Sequence, residues 1–338
     1  MLFVFVKPVL PSWIFYPILA GYGVGWWLVF ERTKHKLSFF LFIFLLFGSL
    51  WGILQLSFVQ TWITKRVTDQ LSEKLHTQLS VKHVDFEFFD KLNLKGVYVQ
   101  DLRKDTLLYA GSVRISITDW FFLKEQVSLH YISLEDAKVN LYRNDTVWNY
   151  QFLVDYFSGP KKEKDSTGGI ELKLEELQLK NITFNQVDKW RGRDLLLSIQ
   201  KLELFADDFD LKKQLVSISK LDIDGPQYVE KNYEGERDRL NIPRINTVKD
   251  TSKKKEQGLV LLVKNLHISN GQFGTEKEST REAYAGTFDD RFIYFRDISA
   301  DIKNLRFAND TITTYIKLST KERSGFEVKK LEANMTFS

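Results

Sequence analysis

The residues able to do acid–base, nucleophilic or metal chemistry are scattered along this chain. Its five histidines, His35, His76, His83, His130 and His267, are far apart, and none stands in an H-x-x-x-H or H-E-x-x-H context that would put two ligands on one helix face for zinc. There is no cysteine, which removes disulfides, thiolate nucleophiles, iron–sulfur clusters and thiolate zinc sites. Acidic neighbours such as Asp207-Asp208 and Asp289-Asp290 occur, but adjacent residues on a strand point to opposite faces and in loops they are ordinarily solvated. A glycosidase-type carboxylate pair is a spatial arrangement that spacing alone does not reveal. No G-x-S-x-G elbow or Walker loop is present, and the string Gly21, Gly23, Gly25 lacks the strand and helix that a nucleotide site needs. Four Asn-x-Thr sequons, at Asn144, Asn181, Asn309 and Asn334, matter only in a eukaryotic secretory pathway. These residues predict a protein that is not an enzyme and uses no cofactor and no metal.

The balance of 48 basic against 44 acidic residues in 338, a net charge of +4, is spread thinly. A nucleic-acid binder needs a concentrated basic face, so no nucleic-acid partner is expected. The apolar content is organised instead. Residues 37–59, "LSFFLFIFLLFGSLWGILQLSFV", carry no charge and are long enough for a transmembrane helix, which needs about 20 apolar residues. Arg32, Lys34 and Lys36 precede it; by the positive-inside rule this flank is cytoplasmic and all that follows lies across the membrane. The run is too long for a signal peptide, and no small-x-small cleavage site follows it. Residues 1–36 hold a second uncharged run, Pro8 to Phe30, a possible extra span before the basic flank. Residues 60–80 read as an amphipathic helix, with Ile63, Val67, Leu71, Leu75 and Leu79 recurring every four residues. A packing helix accounts for that stripe equally well.

Beyond Ser80 the apolar period is two, the signature of half-buried strands. Val84, Phe86 and Phe88 alternate, as do Leu92 and Leu94, Val113, Ile115 and Ile117, and Val127 and Leu129. The pattern continues at Leu172 and Leu174, Leu197 and Ile199, Val216 and Ile218, Val260 and Leu262, and Ile293 and Phe295. Turn signals such as Asn270-Gly271 and Asp224-Gly225-Pro226 lie between runs, so residues 81–338 are predicted to form an antiparallel meander. A looser pattern overlies it. Ile132/Leu134/Val139, Leu177/Leu179/Phe184, Leu221/Ile223/Tyr228 and Leu266/Ile268/Phe273 share offsets zero, two and seven, with starts 45, 44 and 45 residues apart. Leu202/Leu204/Phe209 also fits and breaks the period. A repeat of this length suggests an array. The polar stretches Ser158 to Gly169 and Val248 to Gly258 read as flexible, solvated loops.

A sheet with one apolar face can close into a barrel, fold into a sandwich, or remain an open trough that holds something else. Strands that continue to the end of the chain, and a repeat that gives each unit the same oily side, favour the trough. Its lining is then Val84, Phe86, Phe88, Leu92, Leu94, Val113, Ile115, Ile117, Leu129, Leu172, Leu174, Leu197, Ile199, Ile218, Leu262 and Phe295.

The stretch from Phe58 to Asp119, with "ISLEDAKVNLYR" and "WNYQFLVDYF" after it, resembles the amino-terminal part of TamB-like proteins of Bacteroidetes, within the wider AsmA-like group. The resemblance implies an elongated antiparallel β-groove of repeats behind an inner-membrane anchor, with the main domain in the periplasm. It also implies phospholipid as cargo moving toward the outer membrane, and an Omp85-type barrel as partner through a carboxy-terminal domain that this chain lacks. On that resemblance the chain is expected to be truncated at its carboxy terminus. A scaffold or chaperone for outer-membrane proteins is the alternative expectation.

Overall fold

The computed structural model describes residues 35–54, 57–87, 91–118, 126–158, 169–210, 214–240, 258–279 and 281–337. They belong to two compact units, residues 1–68 and 69–338. In the first, α1 spans His35–Leu54, and α2 spans Ser57–Leu75 and carries into the second unit; residues 55 and 56 between them lie outside the described residues. The 20 residues of α1 rise about 30 Å, the thickness of a bilayer's hydrocarbon core. Among the described residues no helix is long and apolar enough to cross a membrane; the side chains of residues 35–39, 47, 50, 51, 53 and 54 within α1 are outside that description. Of the expected span, residues 37–54 fall in α1 and residues 57–59 at the start of α2. Residues 1–34, with the possible extra span, Arg32 and Lys34, lie outside the described residues, and Lys36 falls in α1.

Helix α2 stops at His76, whose φ of 54° is left-handed. The Thr77 hydroxyl then donates to the carbonyls of Gln100 and Asp101 at 3.0 Å, tying the exit to the sheet. Leu75 is buried and Leu71 half-buried, while the side chains of Ile63 and Val67 lie outside the description. Leu79 does not continue the helical stripe. It opens the first strand, opposite Val99.

The rest is mostly β, with strands β1 (Leu79–Glu87), β2 (Lys91–Gln100), β3 (Thr106–Thr118), β4 (Gln126–Arg143), β5 (Gly169–Asp188), β6 (Arg193–Asp210), β7 (Leu215–Asp224), β8 (Gln227–Asn232), β9 (Val260–Lys277), β10 (Phe292–Ala308), β11 (Thr311–Glu322) and β12 (Glu327–Phe337). Two short helices interrupt them, α3 (Gln151–Ser158) after β4 and α4 (Glu236–Arg239) after β8. All 12 strands form one sheet in chain order, with β7 and β8 end to end between β6 and β9. Among the described residues the edge strands β1 and β12 each have one partner.

The sheet is mixed, which corrects the expected antiparallel meander: β4 runs parallel to β5, and β7 and β8 run parallel to β9. The repeat explains why. Ile132, Leu134 and Val139 stand opposite Leu177, Leu179 and Phe184, and Leu221, Ile223 and Tyr228 opposite Leu266, Ile268 and Phe273. Equivalent repeat positions are therefore direct neighbours, and β6 joins the two pairs in antiparallel fashion. Parallel neighbours need a long return connection. The links 144–168 and 233–259 provide it, and the two polar stretches lie mostly within them.

The odd offset of seven also has a backbone cause. Asp136, Asn181, Gly225 and Asn270, each at offset four, have left-handed φ of 52°, 54°, 59° and 55°. Asn, Asp and Gly tolerate this region at the least steric cost. At the fourth repeat, Ser269 Oγ and Asn270 Nδ2 both donate to Asp224 Oδ1 at 2.7 Å, so two consecutive residues point the same way. A Cβ at Gly271 would sit 3.3 Å from Cγ2 of Ile268, on the other side. Alternation thus slips by one residue, and offsets zero, two, five and seven share a face.

This slip predicts a substitution contrast. Asn270→Gly and Asn270→Ala both lose the bond to Asp224, but only alanine adds a Cβ to the left-handed position. Urea unfolding should find Asn270→Ala less stable by about 1–2 kcal/mol; equal stabilities would contradict the slip.

Candidate functional site

Register assembles the repeats into rows that cross the sheet. One row runs Leu92, Ile115, Ile132, Leu177, Leu204, Leu221, Leu266, Ile302, Ile316 and Ala333, from β2 to β12, each opposite the next. Beside it run Val84, Leu94, Val113, Leu134, Leu179, Leu202, Ile223, Ile268, Ala300, Leu318 and Leu331. Neither row contains a polar residue. Between them in sequence lies a row on the opposite face, Asn93, Arg114, Ser133, Gln178, Glu203, Asp222, His267, Asp301, Lys317 and Glu332, with no apolar residue at all. One sheet therefore carries one oily and one polar face.

Past the left-handed positions the oily face continues through Val99, Leu108, Val139, Phe184, Leu197, Tyr228, Phe273 and Phe295. Aromatic side chains take over toward β9, where the Tyr228 and Phe273 rings stack with centroids 5.3 Å apart.

How far these side chains are covered decides what the face can do. In the first row only Leu204 is buried, at 8 % exposure; the other nine are half-buried. Phe273 and Leu331 are 38 % and 37 % exposed. The densest packing joins Leu174, Leu204, Val216, Ile218 and Val263, centred on β5 to β9.

Most of the predicted lining residues meet on this face. Val84, Leu92, Leu94, Val113, Ile115, Leu197 and Phe295 lie in the rows above; Ile199 stands opposite Ile182; Leu174 and Ile218 belong to the packed cluster. Leu129 pairs with Ile117 and Leu172, and Phe86 with Leu92, but the side chains of Ile117, Leu172 and Phe86 are outside the description, and Phe88 lies outside the described residues altogether. Leu262 is a correction. It pairs with Ser217 and Arg306, on the polar face, while Leu261 and Val263 occupy the oily phase opposite Val216 and Ile218.

Beyond the aromatic row the same face turns polar. Arg143 and Asp188 form a buried bidentate pair, Nε to Oδ1 at 2.8 Å and Nη2 to Oδ2 at 2.6 Å, and the guanidinium lies 4.5 Å from the Trp148 ring. Next to it, Arg193 Nη2 contacts Glu230 Oε2 at 2.5 Å. Burial opposes ionisation of Glu230, but donors from Tyr228, Asn232 and Arg193 outweigh it and hold its carboxyl below the usual range. The hydrogen bond to Glu230 raises Arg193 further above neutrality. Sequence spacing had no signal for this pair, whose members are 37 residues apart. Among the described residues no three metal-ligating side chains come together.

No family model matches the chain, and no curated protein matches it.

The phase of β9 gives a direct test. Val263→Asp, at a position 4 % exposed, should cost more than about 3 kcal/mol, because it buries a charge without a partner. Leu262→Asp, on the polar face, should stay within about 1 kcal/mol. Chemical denaturation of the two variants checks this, and a reversed order would place the oily phase where the alternation Val260/Leu262 had put it.

Proposed function

We propose that the chain is a membrane-anchored lipid conduit of the TamB-like, AsmA-like type, in which the oily face is an open groove for acyl chains. The observation that carries this reading is the uninterrupted apolar rows, half-covered along nearly their whole length. Ten strands spaced by about 4.8 Å give such a row a length of roughly 45 Å. Each methylene kept out of water is worth about 0.8 kcal/mol, so a continuous oily strip lowers the cost of moving a lipid tail far more than isolated patches would. The apolar run of α1 that follows Lys36 serves as the anchor in an inner membrane, with Arg32, Lys34 and Lys36 on the cytoplasmic side and the sheet in the periplasm. The cargo is phospholipid, carried from the inner toward the outer membrane. Catalysis, metals and nucleic acid have no part in this reading.

A scaffold for outer-membrane strands, working with an Omp85-type barrel, is the second reading. The single-partner edges of β1 and β12 favour it, because an unpaired edge can accept a further strand.

Ile115→Asp separates the readings from each other and from a closed core. A photo-crosslinking residue at Leu177, two strands away along the same row, should capture phospholipid in cells. The substitution should cut those adducts at least tenfold while the protein keeps its β-rich circular dichroism. Peptide adducts in place of lipid would favour the scaffold. Loss of the fold in Ile115→Asp would mean that the face is an ordinary sealed core.

A further inference from the structure

Arg193 and Glu230 sit where the oily face ends. Arg193 is in phase with Leu195, Leu197 and Ile199 along β6, and Glu230 is in phase with Tyr228 along β8. Leu195 stands opposite Glu230, and the stacked rings of Tyr228 and Phe273 follow along the same face.

The two ion pairs at this rim are built differently. Arg143 and Asp188 are 9 % and 3 % exposed and fully turned to each other, as expected of a pair that holds neighbouring strands. Glu230 is 16 % exposed and receives the Tyr228 hydroxyl, Asn232 Nδ2 at 2.8 Å and Arg193 Nη2. Arg193, in contrast, is 50 % exposed. Its contacts with Glu230 and the Tyr228 side chain fix where the guanidinium lies, and half of the side chain stays open to solvent beside an aromatic surface. A planar guanidinium with free N–H groups matches the paired oxygens of a phosphate.

We propose that Arg193, positioned by Glu230, binds the phosphate of a phospholipid whose acyl chains lie along the aromatic row at Phe184, Tyr228 and Phe273. The inference rests on the conduit reading above and adds to it a point of headgroup contact. Tail burial makes the face accept any hydrocarbon, while the guanidinium selects those that carry a phosphate. Glu230 is a positioning residue and does not touch the lipid. An exposed cross-strand ion pair without this role would add little stability and would not alter which lipids bind.

The test uses the full chain in its native membrane, with a photo-crosslinking residue at Phe273. The readout is the ratio of phosphate-bearing adducts, phospholipid or lysophospholipid, to phosphate-free diacylglycerol adducts by mass spectrometry. Arg193→Ala should lower that ratio about tenfold, the effect of losing one charge-assisted hydrogen bond, with total adducts unchanged within about twofold. Arg193→Lys should retain an intermediate ratio, since a point charge still attracts phosphate but lacks the fork. Glu230→Gln should give a partial loss by freeing the guanidinium. Inorganic phosphate in excess should not compete, because it lacks the tails; full competition would make this a site for free phosphate and overturn the proposal. An unchanged ratio in Arg193→Ala with adducts intact would leave Arg193 as a rim ion pair only. Absence of any acyl adduct in the wild type would overturn the conduit reading together with this one.

Discussion

One backbone conformation governs the rest of this structure: the left-handed residue at the fifth position of each repeat. A strand of the length of β4 or β9 alternates its side chains from end to end. Without a slip, the oily positions of its second half would face the polar side. Asp136, Asn181, Gly225 and Asn270 shift the phase by one residue, so both halves of the strand present hydrocarbon to the same face. The polar partners of these residues stack across the repeats, Asn181 on Asp136 at 2.9 Å and Ser269 on Asp224 at 2.7 Å, each 45 residues apart. The same spacing aligns Asn185 with Asn140 and Asp188 with Arg143.

Stability in such a sheet has to come largely from sources other than a dry core. A fully buried Leu or Ile contributes about 1.5–3 kcal/mol, and a half-covered one gives up part of that. The ladder hydrogen bonds of a single 12-stranded sheet, the cross-repeat side-chain bonds and the buried Arg143–Asp188 pair take up the load. Denser packing is confined to Leu174, Leu204, Val216, Ile218 and Val263. A protein selected for stability alone would have covered Ile115, Leu177 and Ile302. Leaving them half-open fits a face that has something to hold.

Period-two alternation was enough to read the strands, because each strand has one wet and one oily side and the code is local. The repeat was legible too, including its Asp, Asn and Gly at the middle. Its meaning was not, since strand direction depends on which distant segment pairs with which, and the parallel register of β4 with β5 is written nowhere in either strand alone. Leu262 shows the limit of local reading. In the run Val260-Leu-Leu-Val263 both phases are equally apolar, and only pairing with Val216 and Ile218 selects Leu261 and Val263. The Arg193–Glu230 contact was beyond reach for the same reason, and Leu79 was misassigned because a helical stripe and the start of a strand share one apolar residue.

The central claim is that the oily face is open to hydrocarbon in the folded protein. The chain contains no cysteine, so a single Leu221→Cys substitution, in the middle of the row from Leu92 to Ala333, supplies a clean reporter. Maleimide should label this thiol in the folded protein at a rate within about tenfold of an exposed site, and long-chain phospholipid should slow the labelling while salt does not. A thiol that reacts only after the sheet has been unfolded would contradict that claim.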